Sequence, residues 1–207
     1  MKTEEILHRI FTQQVPETSI EYCFGLWKES PFSFKVTADR KTKSGDFRID
    51  SLRRMPVITV NAGLNKYQFL ITYIHEVAHW RVYAQHGGMV EPHGIIWKNE
   101  FKKLMLPMLI PEVFPNELLR ALKLHMRNPK AASSSDPRLL QAVSKYDGKA
   151  SGIYLYEVNP GEHFIFRGRK YKKEMVRRTR SLCLDVHSKR KYLISEMAKV
   201  EAFAPES

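Results

Sequence analysis

Cysteine is nearly absent from this chain: 207 residues contain two, Cys23 and Cys183. They lie far apart and form no C-x-x-C pair. Between them they cannot build a cysteine-rich zinc site, and their scarcity fits a reducing compartment. Long apolar runs are missing too, since none approaches the roughly 20 residues that a membrane-spanning helix needs. The first residues, Met1-Lys2-Thr3-Glu4-Glu5, are charged and carry neither an apolar signal core nor a small-residue cleavage site. Secretion is therefore not expected, and a cytoplasmic location is. With 43% hydrophobic residues, a chain of this length can bury one good core and a small second module.

Acidic residues are scarce in one place only. Residues 163–191 hold eleven Lys/Arg and two Asp/Glu, whereas the rest of the chain holds 23 basic and 20 acidic residues. The net charge of +12 belongs mostly to that segment. A block this dense points to a polyanion, nucleic acid before a membrane surface. A solvated strand surface is the plainer alternative.

The hydrophobic pattern divides the chain. Residues 3–14 read as a helix with Ile6, Ile10 and Phe11 on one face, and a second helix runs from Pro16 to about Lys28. Residues 32–37, 47–49 and 57–60 read as short strands of a small antiparallel sheet, with a polar turn at 41–46. A broad apolar stripe over 66–86 predicts a central buried helix, with Asn65 as N-cap and Gly87-Gly88 as a left-handed end. Further helices follow from about His93 and over 116–127. Asn128 to Asp136 reads as a linker, and Pro137 opens a short helix to about Tyr146. From Ser151 the period becomes two, and strands are expected at 153–158, 163–167, 169–173, 179–186 and 191–194.

The central helix carries His75-Glu76-Val77-Ala78-His79, an H-E-x-x-H sequence. Histidines four apart lie one above the other on a helix, close enough to hold one metal ion. The glutamate beside the first is placed to take a proton from a metal-bound water. A hydrolytic zinc needs a third protein ligand. The candidates downstream are His86, Glu91, His93 and Glu100. A metzincin spacing fails, because Gln85 stands where its histidine belongs and Val82 where its glycine does. Glu100 lies at a separation that suits a glutamate-ligated site on a following helix. His93 begins that helix, directly before Gly94.

His-Glu-Val-Ala-His, then Pro92-His93-Gly94-Ile95-Ile96-Trp97-Lys98, then an apolar helix reaching Met105, resembles the SprT-like zinc metallopeptidase family. So does the lead-in, Ile58-Thr59-Val60-Asn61 followed by Phe69 to Ile74. The resemblance covers roughly residues 15–110. It implies a zincin-like α+β domain that holds one zinc ion through His75, His79 and His93, with Glu76 as general base. It leaves Glu100 as a residue of the helix face. SprT-like proteins commonly end in a cysteine-built zinc ribbon, and here the chain departs from the pattern, because Cys183 stands alone in its half.

The expected organisation is a metallopeptidase domain at 1–128, a linker with a short helix at 129–149, and a small all-β basic module at 150–200, a ribbon without its metal. Phe164, Phe166, Tyr171, Leu182, Leu184, Tyr192 and Leu193 are its expected core. Arg167, Arg169, Lys170, Lys172, Lys173, Arg177, Arg178 and Arg180 are its expected nucleic-acid contacts, toward phosphates of single-stranded or distorted DNA. The resemblance implies an endopeptidase acting on proteins attached to or crowding DNA. The rival expectation is a transcription-related regulator that keeps zinc and nucleic-acid binding without proteolysis. A third is a peptidase indifferent to DNA whose basic module binds acidic protein.

Overall fold

The structure is a computed structural model that describes residues 2–38, 43–131, 136–148 and 152–203. Part of the expected 41–46 turn (41–42), part of the linker (132–135) and residues 149–151 lie outside the described residues. The chain is α+β and divides into two units, Met1–Asp147 and Gly148–Ser207.

The first unit begins with α1 (Lys2–Gln14) and α2 (Ile20–Glu29). Leu7 and Phe11 are buried on α1, with Val15 just past its end; Phe11 is where it was expected, Ile10 is half-buried, and Ile6 is 46% exposed, its place inside taken by Leu7. Three strands follow: β1 (Ser33–Thr37), β2 (Gly45–Ile49) and β3 (Pro56–Asn61). β3 is central and almost wholly buried. The sheet is mixed rather than antiparallel. β2 and β3 form a hairpin, but β1 lies parallel to β3 on its other side. The cause is the order β1-β3-β2, which places the hairpin's second strand between the other two.

Helix α3 (Lys66–His86) packs against this sheet. Asn65 caps it as expected, its side chain accepting from the amides of Tyr67 and Gln68. Apolar residues surround most of its circumference, and Phe69, Leu70, Tyr73, Ile74, Val77 and Ala78 are fully buried. Such a helix needs neighbours on every side. Two polar anchors fix its rotation: Tyr73 donates to the Cys23 carbonyl at 2.8 Å and Trp80 to the Ser30 carbonyl at 3.0 Å. Gly87 ends it at φ 64°, ψ −153°, a backbone open to glycine, and a single 3-10 turn follows.

α4 (Ile95–Met105) packs on α3 and buries Trp97, Phe101, Leu104 and Met105. α5 (Asn116–His125) and α6 (Pro137–Ser144) close the unit. Leu139, Ala142 and Val143 of α6 belong to the same core as α3. The helix expected in a linker is thus a packed part of the first unit, which runs to Asp147.

The second unit is a six-stranded sheet of order β4-β9-β5-β6-β7-β8. Its strands are β4 (Ile153–Tyr154), β5 (His163–Phe166), β6 (Arg169–Val176), β7 (Arg180–Asp185), β8 (Lys191–Ser195) and β9 (Lys199–Ala202). The core is Leu155, Val158, Phe164, Tyr171, Cys183, Ile194 and Val200. Phe164 and Tyr171 are where the sequence placed them. Leu182 and Leu184 are half-exposed, and Tyr192 and Leu193 are exposed at 37% and 46%. β7 instead turns Ser181, Cys183 and Asp185 inward.

Candidate metal centre and basic strand surface

One turn of α3 separates His75 from His79, and their Nε2 atoms lie 3.2 Å apart. His93 closes the triangle, with its Nε2 at 2.9 Å from that of His79 and 3.3 Å from that of His75. The three form the one group among the described residues whose ligand atoms could hold a metal ion. His93 reaches this point from the loop before α4 by adopting φ 63°. Left-handed backbone costs a non-glycine residue of order 1–3 kcal/mol and concentrates at functional sites.

The donor set fits zinc. In a tetrahedral site with bonds of about 2.0–2.1 Å, ligand nitrogens stand about 3.3–3.4 Å apart, close to the spacings seen here. Burial, then the neighbouring His79, His93 and His125, holds His75 well below the usual histidine range. Burial and His93 bring His79 to about 4, and burial lowers His93 as well. At neutral pH these rings are uncharged, which is the ligating form. Three neutral rings aiming Nε2 at one point cannot all satisfy one another by hydrogen bonding, whereas a cation at that point satisfies all three lone pairs.

Trp97 is the wall that orients them. It stacks on His79 at an interplanar angle of 27°, and its ring centroid lies 4.6 Å from that of His75 and 4.7 Å from that of His93. Phe101 backs it at 5.0 Å. Among the described residues the buried Trp97 Nε1–H has no hydrogen-bond partner, so the ring sits there for its faces rather than its donor.

Glu76 is buried on α3 and lines the same cleft of about 580 Å³ as the three histidines. Strand β2, at the sheet edge, adds Gly45, Asp46 and Phe47 to the cleft wall. Gly45 and Asp46 belong to this strand and not to the polar turn expected before it. The other ligand candidates fall away. Glu100 faces Arg81 at 3.7 Å and Lys103 at 3.8 Å. Glu91 stands at the exposed rim, and His86 is outside the cleft.

His125 also lines this cleft. It is 3% exposed, and its Nδ1 lies 2.9 Å from Oδ2 of Asp136. Nothing in the sequence flagged it. Ten residues lie between the pair in sequence, and the packing of α5 on α6 brings them together. The signal that was legible was Asp136 before Pro137, a helix-start pattern.

In the second unit, Arg167 lies in the β5–β6 turn, and Arg177 and Arg178 lie between β6 and β7. These three, with Arg169, Lys172 and Arg180, are exposed, and Lys170 is half-buried with its ammonium 3.4 Å from the centre of the Phe203 ring. Lys173 is the exception among the expected nucleic-acid contacts. It is 1% exposed, points into the module and donates to the Leu155 carbonyl at 2.7 Å and to Glu196 at 3.1 Å. Alternation along β6 explains the difference, because Lys172 and Lys173 face opposite sides of the sheet. A buried, paired ammonium cannot meet a phosphate.

Among the described residues, no helix is long and apolar enough to cross a membrane. Comparison with known protein families, curated proteins and solved structures finds no match to this chain.

Proposed function

We propose that this chain is a zinc-dependent endopeptidase of SprT-like type that acts on DNA-associated or DNA-crosslinked proteins. The observation that carries the reading is the convergence of the His75, His79 and His93 Nε2 atoms in the cleft that also holds Glu76. Zinc, when bound there, supplies a Lewis acid that polarises a peptide carbonyl and lowers the pKa of a water. Glu76 takes the proton from the attacking water and delivers it to the leaving amine. Among the described residues β2 is an edge strand and lines the cleft, and an extended peptide added to that edge would pass the histidines. The seven accessible basic residues of the β-module hold the phosphate backbone and bring the protease to its targets.

The test is incubation of zinc-loaded wild-type and Glu76→Gln protein with a DNA-binding protein, with and without single-stranded DNA. Cleavage by wild type alone, enhanced by DNA, is expected, with one zinc in both. DNA binding without cleavage in either would favour the regulator reading instead. Cleavage indifferent to DNA, with no salt-sensitive DNA binding, would favour the acidic-protein reading.

A further inference from the structure

The cleft holds a second histidine system beyond the three ligands and Glu76. We infer that His125, held in place by Asp136, donates the hydrogen bond that stabilises the oxyanion formed from the scissile carbonyl. This inference rests on the peptidase reading above and assigns the one role in it that Glu76 and the three ligands leave open.

Three observations carry it. His125 is part of the wall of the cleft that holds Glu76. Its Nδ1 is committed to Asp136 at 2.9 Å, its one hydrogen bond among the described residues, so Nε2 is the nitrogen left for a reacting group. Asp136 is itself fixed. Its other oxygen accepts from the amides of Arg138 and Leu139 at the start of α6, at 3.2 Å and 3.4 Å, so the carboxylate cannot swing away. A purely structural pair would account for the Nδ1 contact but not for a place in the cleft wall.

The chemistry is electrostatic and leaves His125 unchanged. As the water oxygen bonds to the carbonyl carbon, the carbon–oxygen π pair moves onto the carbonyl oxygen. Glu76 holds the water's proton. His125, paired through Nδ1 with Asp136, donates Nε2–H to the new anion and keeps that proton. When the carbon–nitrogen bond breaks, the carbonyl re-forms and the amine leaves with the proton from Glu76. A donor already in position in a site shielded from water costs no reorganisation as charge develops, and removing one such donor slows turnover by roughly 100- to 1,000-fold.

The experiment compares full-length zinc-loaded wild type, His125→Gln and Asp136→Asn. It measures zinc content, thermal midpoint, kcat and KM on fluorogenic casein, and the Kd of an Ala–Phe phosphinic pseudopeptide, whose tetrahedral anion mimics the oxyanion. In His125→Gln, kcat should fall about 100-fold or more, with KM and zinc content unchanged and phosphinate affinity weakened in parallel. Asp136→Asn keeps a helix-capping side chain and should show a smaller loss of the same kind. If wild type cleaves and His125→Gln keeps both its kcat and its phosphinate affinity, the inference is overturned while the peptidase reading stands. A loss confined to zinc content or KM also overturns it. If wild type does not cleave, the peptidase reading fails and takes this inference with it. Should His125→Gln not fold, Asp136→Asn decides, and an unchanged kcat there overturns the assignment.

Discussion

Gly45 and Glu76 are packed so closely that a β-carbon on Gly45 would lie 2.7 Å from Oε1 and 2.9 Å from Cγ of Glu76. The same carbon would lie 2.6 Å from Cγ2 of Thr72, so the carboxylate is pinned between its own helix and the edge strand. Gly45→Ala should therefore displace Glu76 without touching the metal ligands. Misplacement by about 1 Å can cost on the order of 100-fold in rate. The expected outcome is full zinc content with turnover slowed by roughly 10- to 100-fold. Metal analysis beside steady-state kinetics checks it, and lost zinc would show that the strand supports the ligands instead.

Asp136 links acid stability to the cleft. Burial alone would raise its carboxyl, but the His125 hydrogen bond, the Leu139 and Arg138 amides and the His125 charge outweigh it and hold the group below the usual carboxylate range. A folded value below the unfolded one adds stability that is fully present above the unfolded pKa of about 3.9. That stability is lost as pH falls through the folded value. Asp136→Asn should be less stable than wild type from about pH 5 to 7, and the gap should close below about pH 4. Urea midpoints across that range measure it, and a gap that persists in acid would place the effect elsewhere.

Lys173 separates folding from charge in the β-module. Removing one partner of a buried ion pair costs about 3–5 kcal/mol, whereas replacing both with apolar residues is often tolerated. Lys173→Ala should unfold the second unit, and Lys173→Met with Glu196→Leu should restore it. Arg177, Arg178 and Arg180 changed to Glu should leave the fold intact and abolish binding to single-stranded DNA. Circular dichroism melts and gel shifts at two salt concentrations distinguish these outcomes.

Asn65 joins the start of α3 to the end of the first unit. Beyond its capping bonds, its Nδ2 donates to the Val143 carbonyl at 3.1 Å and to Asp147 at 2.7 Å. Asn65→Ala should cost about 1 kcal/mol for the cap and roughly 1–3 kcal/mol for the acceptors left behind. Asn65→Asp keeps the cap but sets a like charge beside Asp147, and should recover only part of the loss in denaturant unfolding.

Local periodicity made the long elements legible. The stripe over α3, the Asn65 cap and the histidine spacing all refer to neighbours within a turn or two, and the structure places His75, His79 and Glu76 accordingly. Two things were not legible. The phase of β7 was hidden because its inward face carries Ser181 and Asp185, polar residues satisfied by partners, while Leu182 and Leu184 face the other side. Alternation reads apolarity, and a strand that buries paired polar groups inverts that signal. The His125–Asp136 contact was hidden because it is made by tertiary packing across a linker that carries no period at all.

The Lys173–Glu196 pair has a consequence for how the molecule can be disarmed. A module stapled by a charge pair under Leu155 and Ser181 asks nothing of thiolates or ions. Among the described residues the unit offers chelators no metal-binding cluster to strip, and its single cysteine, Cys183, is buried with its thiol pushed up to about 11 by burial, out of range for easy oxidation. A chelated, oxidised sample of this protein should still hold its second unit folded while the histidine cluster of the first stands idle. In the proposed reading, nucleic-acid anchorage and peptide cleavage thus answer to different reagents.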